Sequence, residues 1–304
     1  MRRKFYTVLR NGTKTMTVVP VNTQIIALQT GDGPPFFIVD GYPDFLDVVK
    51  LMGSGQPVLS LIAQEDTQST SSNYDIPEEA ATHVKNILAC QPCGPYMLGG
   101  CSASAIVAYE VAQQLRALGH EVGLLVMFDQ PNPYFMREYS HFWRSLSSYR
   151  DDLSRLRWTE FPGWAMGKVR GLIDGRVLWL QAKLGLGRGI SQTSEDFGPL
   201  TSRIEAARRY RPAPYAGRFL LVKRTRHFTG RYLHPSFGWS EAVQGKIDIC
   251  KVSATEHLEI FKSEPDRVAV GRALRRGIDE ALGASSNRAE LALPTVDTYE
   301  PCAS

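Results

Sequence analysis

The sequence predicts an α/β fold: a mostly parallel, doubly wound sheet with a helical insertion before its last two strands. Three observations carry that expectation. Short uninterrupted apolar runs, such as Phe36–Val39 and Val122–Phe128, have the length and the lack of alternation of strands buried on both faces. Helical patterns alternate with these runs, which is the order a parallel sheet requires. Between about 131 and 214 the apolar runs cease, and long stretches rich in Trp, Tyr and Arg replace them.

Each element has a local reason. Residues 1–24 carry no clear period and read as an N-terminal extension with short extended pieces at 5–9 and 16–20. Residues 25–28 form a first strand, and Gly31-Asp32-Gly33-Pro34-Pro35 is a turn. Phe36–Val39 is a central strand that ends at Asp40-Gly41-Tyr42-Pro43, and residues 57–62 are another buried strand. Ile76-Pro77-Glu78-Glu79 opens a helix, with Pro near its start and acids in its first turn. Residues 96–98 are a short strand; the helical pattern at 105–118 closes at Gly119 as a C-cap would. Val122–Phe128 is a strand that stops at Asp129. The insertion contains helical stretches at 139–157, 164–184 and 201–210. Strands resume at 218–222 and 246–252, and a helix at 268–282 closes a domain spanning 25–284. Residues 285–304, small, polar and Pro-containing, are expected to be disordered.

Composition narrows the function classes. The chain has 304 residues, 43% hydrophobic and 22% charged, which is ordinary globular material with enough length for a large core. A formal charge of +4 does not argue for nucleic acid, though it suits an acidic partner. No apolar run is long enough to span a membrane. Met1-Arg2-Arg3-Lys4 is basic, but no continuous apolar region follows it, so it does not read as a secretory signal. Five cysteines do not make a disulfide framework and favour a reducing compartment, read here as cytoplasmic. Cys90 and Cys93 form a C-x-x-C pair, but they follow a helix and precede a strand, the reverse of the redox arrangement.

The stretch most charged with chemistry is Tyr96-Met97-Leu98-Gly99-Gly100-Cys101-Ser102-Ala103-Ser104-Ala105. A strand, a sharp turn with serine at its tip and a helix make the context of a nucleophile elbow. Strand and helix pack closely there, so small residues are needed; Gly100 and Ser104 stand two before and two after Ser102. The alternative is a serine that merely caps the helix. Cys101 as nucleophile is a further alternative, though the register puts Ser102 at the tip and Cys101 in the core.

The run Gly94-Pro95-Tyr96-Met97-Leu98-Gly99-Gly100-Cys101-Ser102, followed by Ala108-Tyr109-Glu110-Val111-Ala112, resembles the thioesterase domain of nonribosomal peptide and polyketide synthases. The resemblance covers about residues 24–282. It implies an α/β-hydrolase fold in which the insertion, about 131–214, is a helical lid. It also implies an activity: an acyl chain passes from a carrier-protein thioester to a serine, then to water or to an internal nucleophile. The expected partner is an acyl or peptidyl carrier protein or synthase module, its substrate held on phosphopantetheine; the chemistry calls for no metal or cofactor of the chain's own.

The resemblance assigns roles. A serine needs a base, and the base an orienting acid, in the chain order Ser, acid, His. His257 alone among the histidines follows the last strand and precedes the last helix, in Ser253-Ala254-Thr255-Glu256-His257. Two strand ends in the family can hold the acid. The one at Lys223-Arg224-Thr225-Arg226 has no carboxylate, and the other supplies Asp129; the alternative is that Asp129 only caps the start of the insertion. The oxyanion hole would use the backbone N–H of Ala103 and that of Tyr42 or Gly41, although Asp40-Gly41-Tyr42-Pro43 departs from the family's glycine-rich loop. A soluble-ester esterase or acyltransferase, and a hydrolase fold kept only for docking, remain the rival readings.

Overall fold

The computed structural model describes residues 6–7, 17–20, 24–41, 43–63, 74–134, 194–225, 235–254, 257–283 and 297–299, with backbone alone for 6–7, 17–20, 194–201, 257–258 and 297–299. The strands are β1 (Tyr6–Thr7), β2 (Thr17–Pro20), β3 (Ile25–Gln29), β4 (Phe36–Val39), β5 (Val58–Leu61), β6 (Tyr96–Cys101), β7 (Val122–Phe128), β8 (Phe219–Arg224), β9 (Ile247–Val252) and β10 (Asp297–Tyr299). The α-helices are α1 (Leu46–Val49), α2 (Ile76–Cys90), α3 (Ala103–Ala117), α4 (Ser194–Arg209) and α5 (Glu264–Ala281).

These strands form one sheet in the order β1-β2-β3-β5-β4-β6-β7-β8-β9-β10. From β5 to β9 every pairing is parallel, and antiparallel strands extend both edges. The chain leaves β4 to one side for β5 and returns to β6 on the other, so the order reverses between β4 and β6. Open α/β sheets place ligands outside the carboxyl ends of the strands at such a switch point.

Both faces are covered, which is why the central strands are apolar without alternation. Phe37, Val39, Leu98, Leu125 and Leu221 pack beneath α2 and α3. Phe36, Ile38, Val126, Phe128 and Val222 pack beneath α1 and α5. Gly99 and Gly100 belong to β6, which is therefore longer than its apolar run. A Cβ on Gly99 would stand 2.6 Å from the Phe36 ring, so the central strand needs glycine there.

Other elements match their sequence signals closely. Gly119 takes the left-handed conformation at φ 83° and ends α3. α5 begins at Glu264, four residues before its expected start, because Pro265 and the acids Glu264 and Asp266 suit a first helical turn. Two edge features differ from expectation. Part of the N-terminal extension joins the sheet, since β2 pairs with β3. Residues 297–299, expected to be disordered, form β10 against β9 through backbone pairing, which side-chain composition does not register. Of the insertion's three helical stretches, 201–210 lies within α4 and its following residue; 139–157 and 164–184 lie outside the described residues. No helix among the described residues is long and apolar enough to cross a membrane.

Trp239 locks the loop after β7 to the α3 face. It is fully buried, its ring lies 5.1 Å from that of Tyr109 and 5.4 Å from that of Phe219, and its Nε1 donates to the Gln130 carbonyl at 2.7 Å. Trp239→Ala is expected to lower unfolding free energy by about 3–5 kcal/mol, read from the shift of a denaturant midpoint at unchanged slope.

Candidate active site

Three adjacent strands end in the same way at the switch point. Asp40 follows β4, Ser102 follows β6 and Asp129 follows β7. Each gives its N–H to the neighbouring strand, to the carbonyls of Leu61 at 2.9 Å, Phe128 at 3.1 Å and Val222 at 2.7 Å. Each then turns to positive φ: 50° at Asp40, 55° at Ser102 and 50° at Asp129. For a non-glycine residue such a conformation costs about 1–3 kcal/mol and persists only where the surroundings impose it.

The elbow is built by close approach. A Cβ on Gly100 would lie 2.4 Å from the Ser104 backbone oxygen and 2.8 Å from the Ala105 Cα, so only glycine lets β6 and α3 meet there. Ser102 stands at φ 55°, ψ −132° in the N-cap position of α3, yet its side chain makes no capping hydrogen bond. The capping alternative therefore does not describe it. Ala103 is the first residue of α3, and the first amides of a helix have no intrahelical partner. The Cys101 thiol is pushed far above its ordinary pKa by burial, then by Asp129 and Asp44. A thiol held protonated is a poor nucleophile.

Ser104 does more than stay small. Its hydroxyl donates to Asp40 Oδ2 at 2.8 Å, and Arg203 Nη1 donates to the same carboxylate oxygen and to Ser104 Oγ at 3.1 Å. After Asp40, the Gly41 amide donates to Ser60 Oγ at 3.1 Å, and its carbonyl accepts from Phe45 N–H at 2.8 Å. Of the two amides expected as the second oxyanion donor, that of Gly41 is thus engaged by Ser60; Tyr42 lies outside the described residues.

Asp129 is 2% exposed. Its Oδ2 accepts from Arg224 Nε at 2.6 Å and its Oδ1 from the Arg224 backbone N–H at 3.2 Å. The strand end that lacks a carboxylate thus supplies the cation that compensates the buried acid at the neighbouring end. Removing one partner of such a pair leaves an uncompensated charge.

His257 begins a short 3₁₀ helix, His257–Phe261, after β9 and before α5. Its side chain lies outside the described residues. The two ends of that connection are clasped: Asp266 Oδ1 accepts from Ser253 N–H at 2.7 Å and from Ser253 Oγ at 3.0 Å.

Residues 54–165 match the family model described as the thioesterase domain. That match covers less than half of the chain. The chain is 27% identical over 262 residues, 81% of its own length, to a non-reducing polyketide synthase of Cladonia metacorallifera, of which it spans 12%. It is 37% identical over 100 residues, 32% of its length, to a non-reducing polyketide synthase of Pseudevernia furfuracea, of which it spans 5%. Among solved structures, the NocB thioesterase domain aligns at TM-score 0.53 and 20% identity, over 82% of this chain and 96% of that one. The type II thioesterase BorB from the borrelidin biosynthetic cluster aligns at TM-score 0.51 and 17% identity, over 84% of this chain and 98% of that one. Those structural likenesses speak for the α/β-hydrolase fold, and residues 54–165 are similar to a thioesterase domain.

Of the three residues named from the elbow pattern and the resemblance, the structure places Ser102 and Asp129 at adjacent strand ends, and the His257 side chain lies outside the described residues. Sequence reasoning missed Arg203 and Arg224, and saw Asp40 only as part of a turn. The signal available for Asp40 was an acid directly after a central buried strand, the position that Asp129 also occupies.

Two expectations follow from this site. Gly100→Ala is expected to cost about 1–3 kcal/mol of stability and to lower turnover by opening the elbow, as denaturation and thioester hydrolysis would both record. Lys223 stands beside Arg224 on β8, 9% exposed, its Nζ donating to the Pro235 carbonyl at 2.9 Å. Burial, then Lys251, lowers its pKa from 10.5 to about 8, against the pull of Asp129. Between those values the unfolded chain binds the proton more, so stability rises with pH across that interval. The stability of Lys223→Met relative to the wild type is therefore expected to be most favourable at and below pH 8 and to decline towards about pH 10.5, as denaturation at stepped pH would show.

Proposed function

We propose that this thioesterase releases an acyl chain from a phosphopantetheinyl carrier protein through an acyl intermediate on Ser102. The observation that carries the reading is the turn at Ser102: a strained, uncapped serine at the helix N-terminus, beside Asp129 across the β6–β7 boundary. Presenting a hydroxyl at the carboxyl end of β6 gives that backbone strain a use.

In this mechanism His257 takes the Ser102 proton as Oγ attacks the thioester carbonyl carbon. The negative charge that develops on the carbonyl oxygen is met by the Ala103 N–H and, from the loop after β4, the Tyr42 N–H. Collapse breaks the carbon–sulfur bond, and the imidazolium returns its proton to the leaving thiolate. A second nucleophile, either water or a group within the acyl chain, then gives its proton to His257 and attacks the acyl carbon; as the acyl–oxygen bond breaks, the imidazolium returns that proton to Ser102 Oγ. Asp129 orients the imidazole and offsets its positive charge. The non-reducing polyketide synthases among the relatives support a polyketide as the chain and a synthase carrier domain as the donor.

Ser102→Ala is expected to lower kcat on an acyl-pantetheine thioester by on the order of a million-fold, with His257→Ala adding little to it. Asp129→Asn, which keeps the shape facing Arg224, is expected to slow turnover by about ten thousand-fold. The same assay on a carrier-bound thioester and on a simple oxygen ester should give the highest kcat/KM for the carrier. Wild-type turnover in Ser102→Ala would end the serine mechanism, and preference for the oxygen ester would favour a soluble-ester esterase.

A further inference from the structure

Arg203 sits on α4, remote from the elbow in sequence, yet all three of its nitrogens are spent on the surroundings of Asp40. Nε donates to the Tyr74 hydroxyl at 2.6 Å, Nη1 to Asp40 Oδ2 and Ser104 Oγ, and Nη2 to Glu79 Oε1. The residue is 8% exposed. Burial works against its charge, but Asp40 and Glu79 more than offset this, so the guanidinium is held more firmly protonated than usual. A planar fork with donors in three directions suits this task as an ammonium does not.

The partners give the arrangement its meaning. Asp40 bears the left-handed strain that starts the loop after β4. Ser104 is in the first turn of α3, two residues beyond the Ser102 elbow. Glu79 is in the first turn of α2. We propose that Arg203 is a positioning residue for this thioesterase: by clamping the Asp40 carboxylate to Ser104, it fixes the loop that faces the acyl oxygen relative to the Ser102 elbow. The proposal rests on the serine mechanism above and names a further determinant of it. It also explains why the position two after Ser102 holds serine: glycine there would leave Asp40 without the hydroxyl that joins the loop to the helix.

A clamp on the oxyanion loop acts on the transition state more than on substrate binding, so its loss should appear in kcat. The test is steady-state kinetics on an acyl-pantetheine thioester for Arg203→Met, Asp40→Asn, the double variant and Ser102→Ala, with thermal unfolding to confirm that each is folded at the assay temperature. Each single change is expected to lower kcat about 10–100-fold while KM stays within about two-fold. The double variant should be no slower than the slower single variant, because both break one contact. Should Arg203→Met fail to fold, Asp40→Asn, which is nearly isosteric, decides the question alone. The proposal is overturned by folded variants that keep kcat within about two-fold, by a rise in KM at constant kcat, or by losses that multiply in the double variant. Turnover lost in Ser102→Ala but kept in the other variants overturns this proposal alone; turnover kept in Ser102→Ala overturns the serine mechanism and this proposal together.

Discussion

The site depends on one constraint: three neighbouring parallel strands must each end in a single residue of positive φ at the same edge of the sheet. Asp40, Ser102 and Asp129 meet it, and each is anchored by one more ladder hydrogen bond before the chain turns. That last bond sets how far each residue stands above the sheet. The parallel register sets Ser102 level with Asp129, and Asp40 one residue behind them, opposite Cys101. A left-handed aspartate or serine is unfavourable in isolation. Its retention at three adjacent strand ends needs support from outside the turns.

Two buried arginines give that support from opposite sides. Arg224, at the end of β8, meets Asp129 with both its side chain and its backbone amide. Arg203, from α4, meets Asp40 and ties it to α2 and α3. Burying any one of these charges alone would cost several kcal/mol. Paired, they give the loops one arrangement rather than several, a use of buried ion pairs that fits the proposed mechanism, in which the donors are fixed before the charge develops. The glycines complete the arrangement from the other direction: Gly99 admits the Phe36 ring, and Gly100 lets the backbone at Ser104 approach β6.

Much of this was legible in the sequence, and the physical reason differs from element to element. β4 and β7 were readable to the residue because an uninterrupted apolar run bounded by turn residues has few other uses. The end of β6 was not, since Gly99-Gly100-Cys101 has poor strand propensity and is strand only because its neighbours need the space. α1, four residues long, has too few turns to show a period. β10 depends on backbone pairing alone. Ser102, Asp129 and His257 were accessible because each follows or precedes a strong element. The Arg203 clamp was not, because its partner Asp40 is 163 positions away in the chain and nothing local marks either residue as half of a pair. Arg224 stood in plain view as the residue where an acid was absent, and its pairing with the acid at the next strand end appears only in three dimensions.

The central proposal is that the acyl chain held on a carrier passes through a covalent bond to Ser102, and peptide mass spectrometry with fragmentation tests it directly. The protein would be mixed with a carrier protein loaded with a polyketide thioester, quenched with acid during turnover, and digested. The account predicts a mass increase equal to the acyl group on the peptide bearing Ser102, and its absence in Ser102→Ala. Product release with no adduct at any quench time, combined with full turnover in Ser102→Ala, would contradict it, as would an adduct on Cys101.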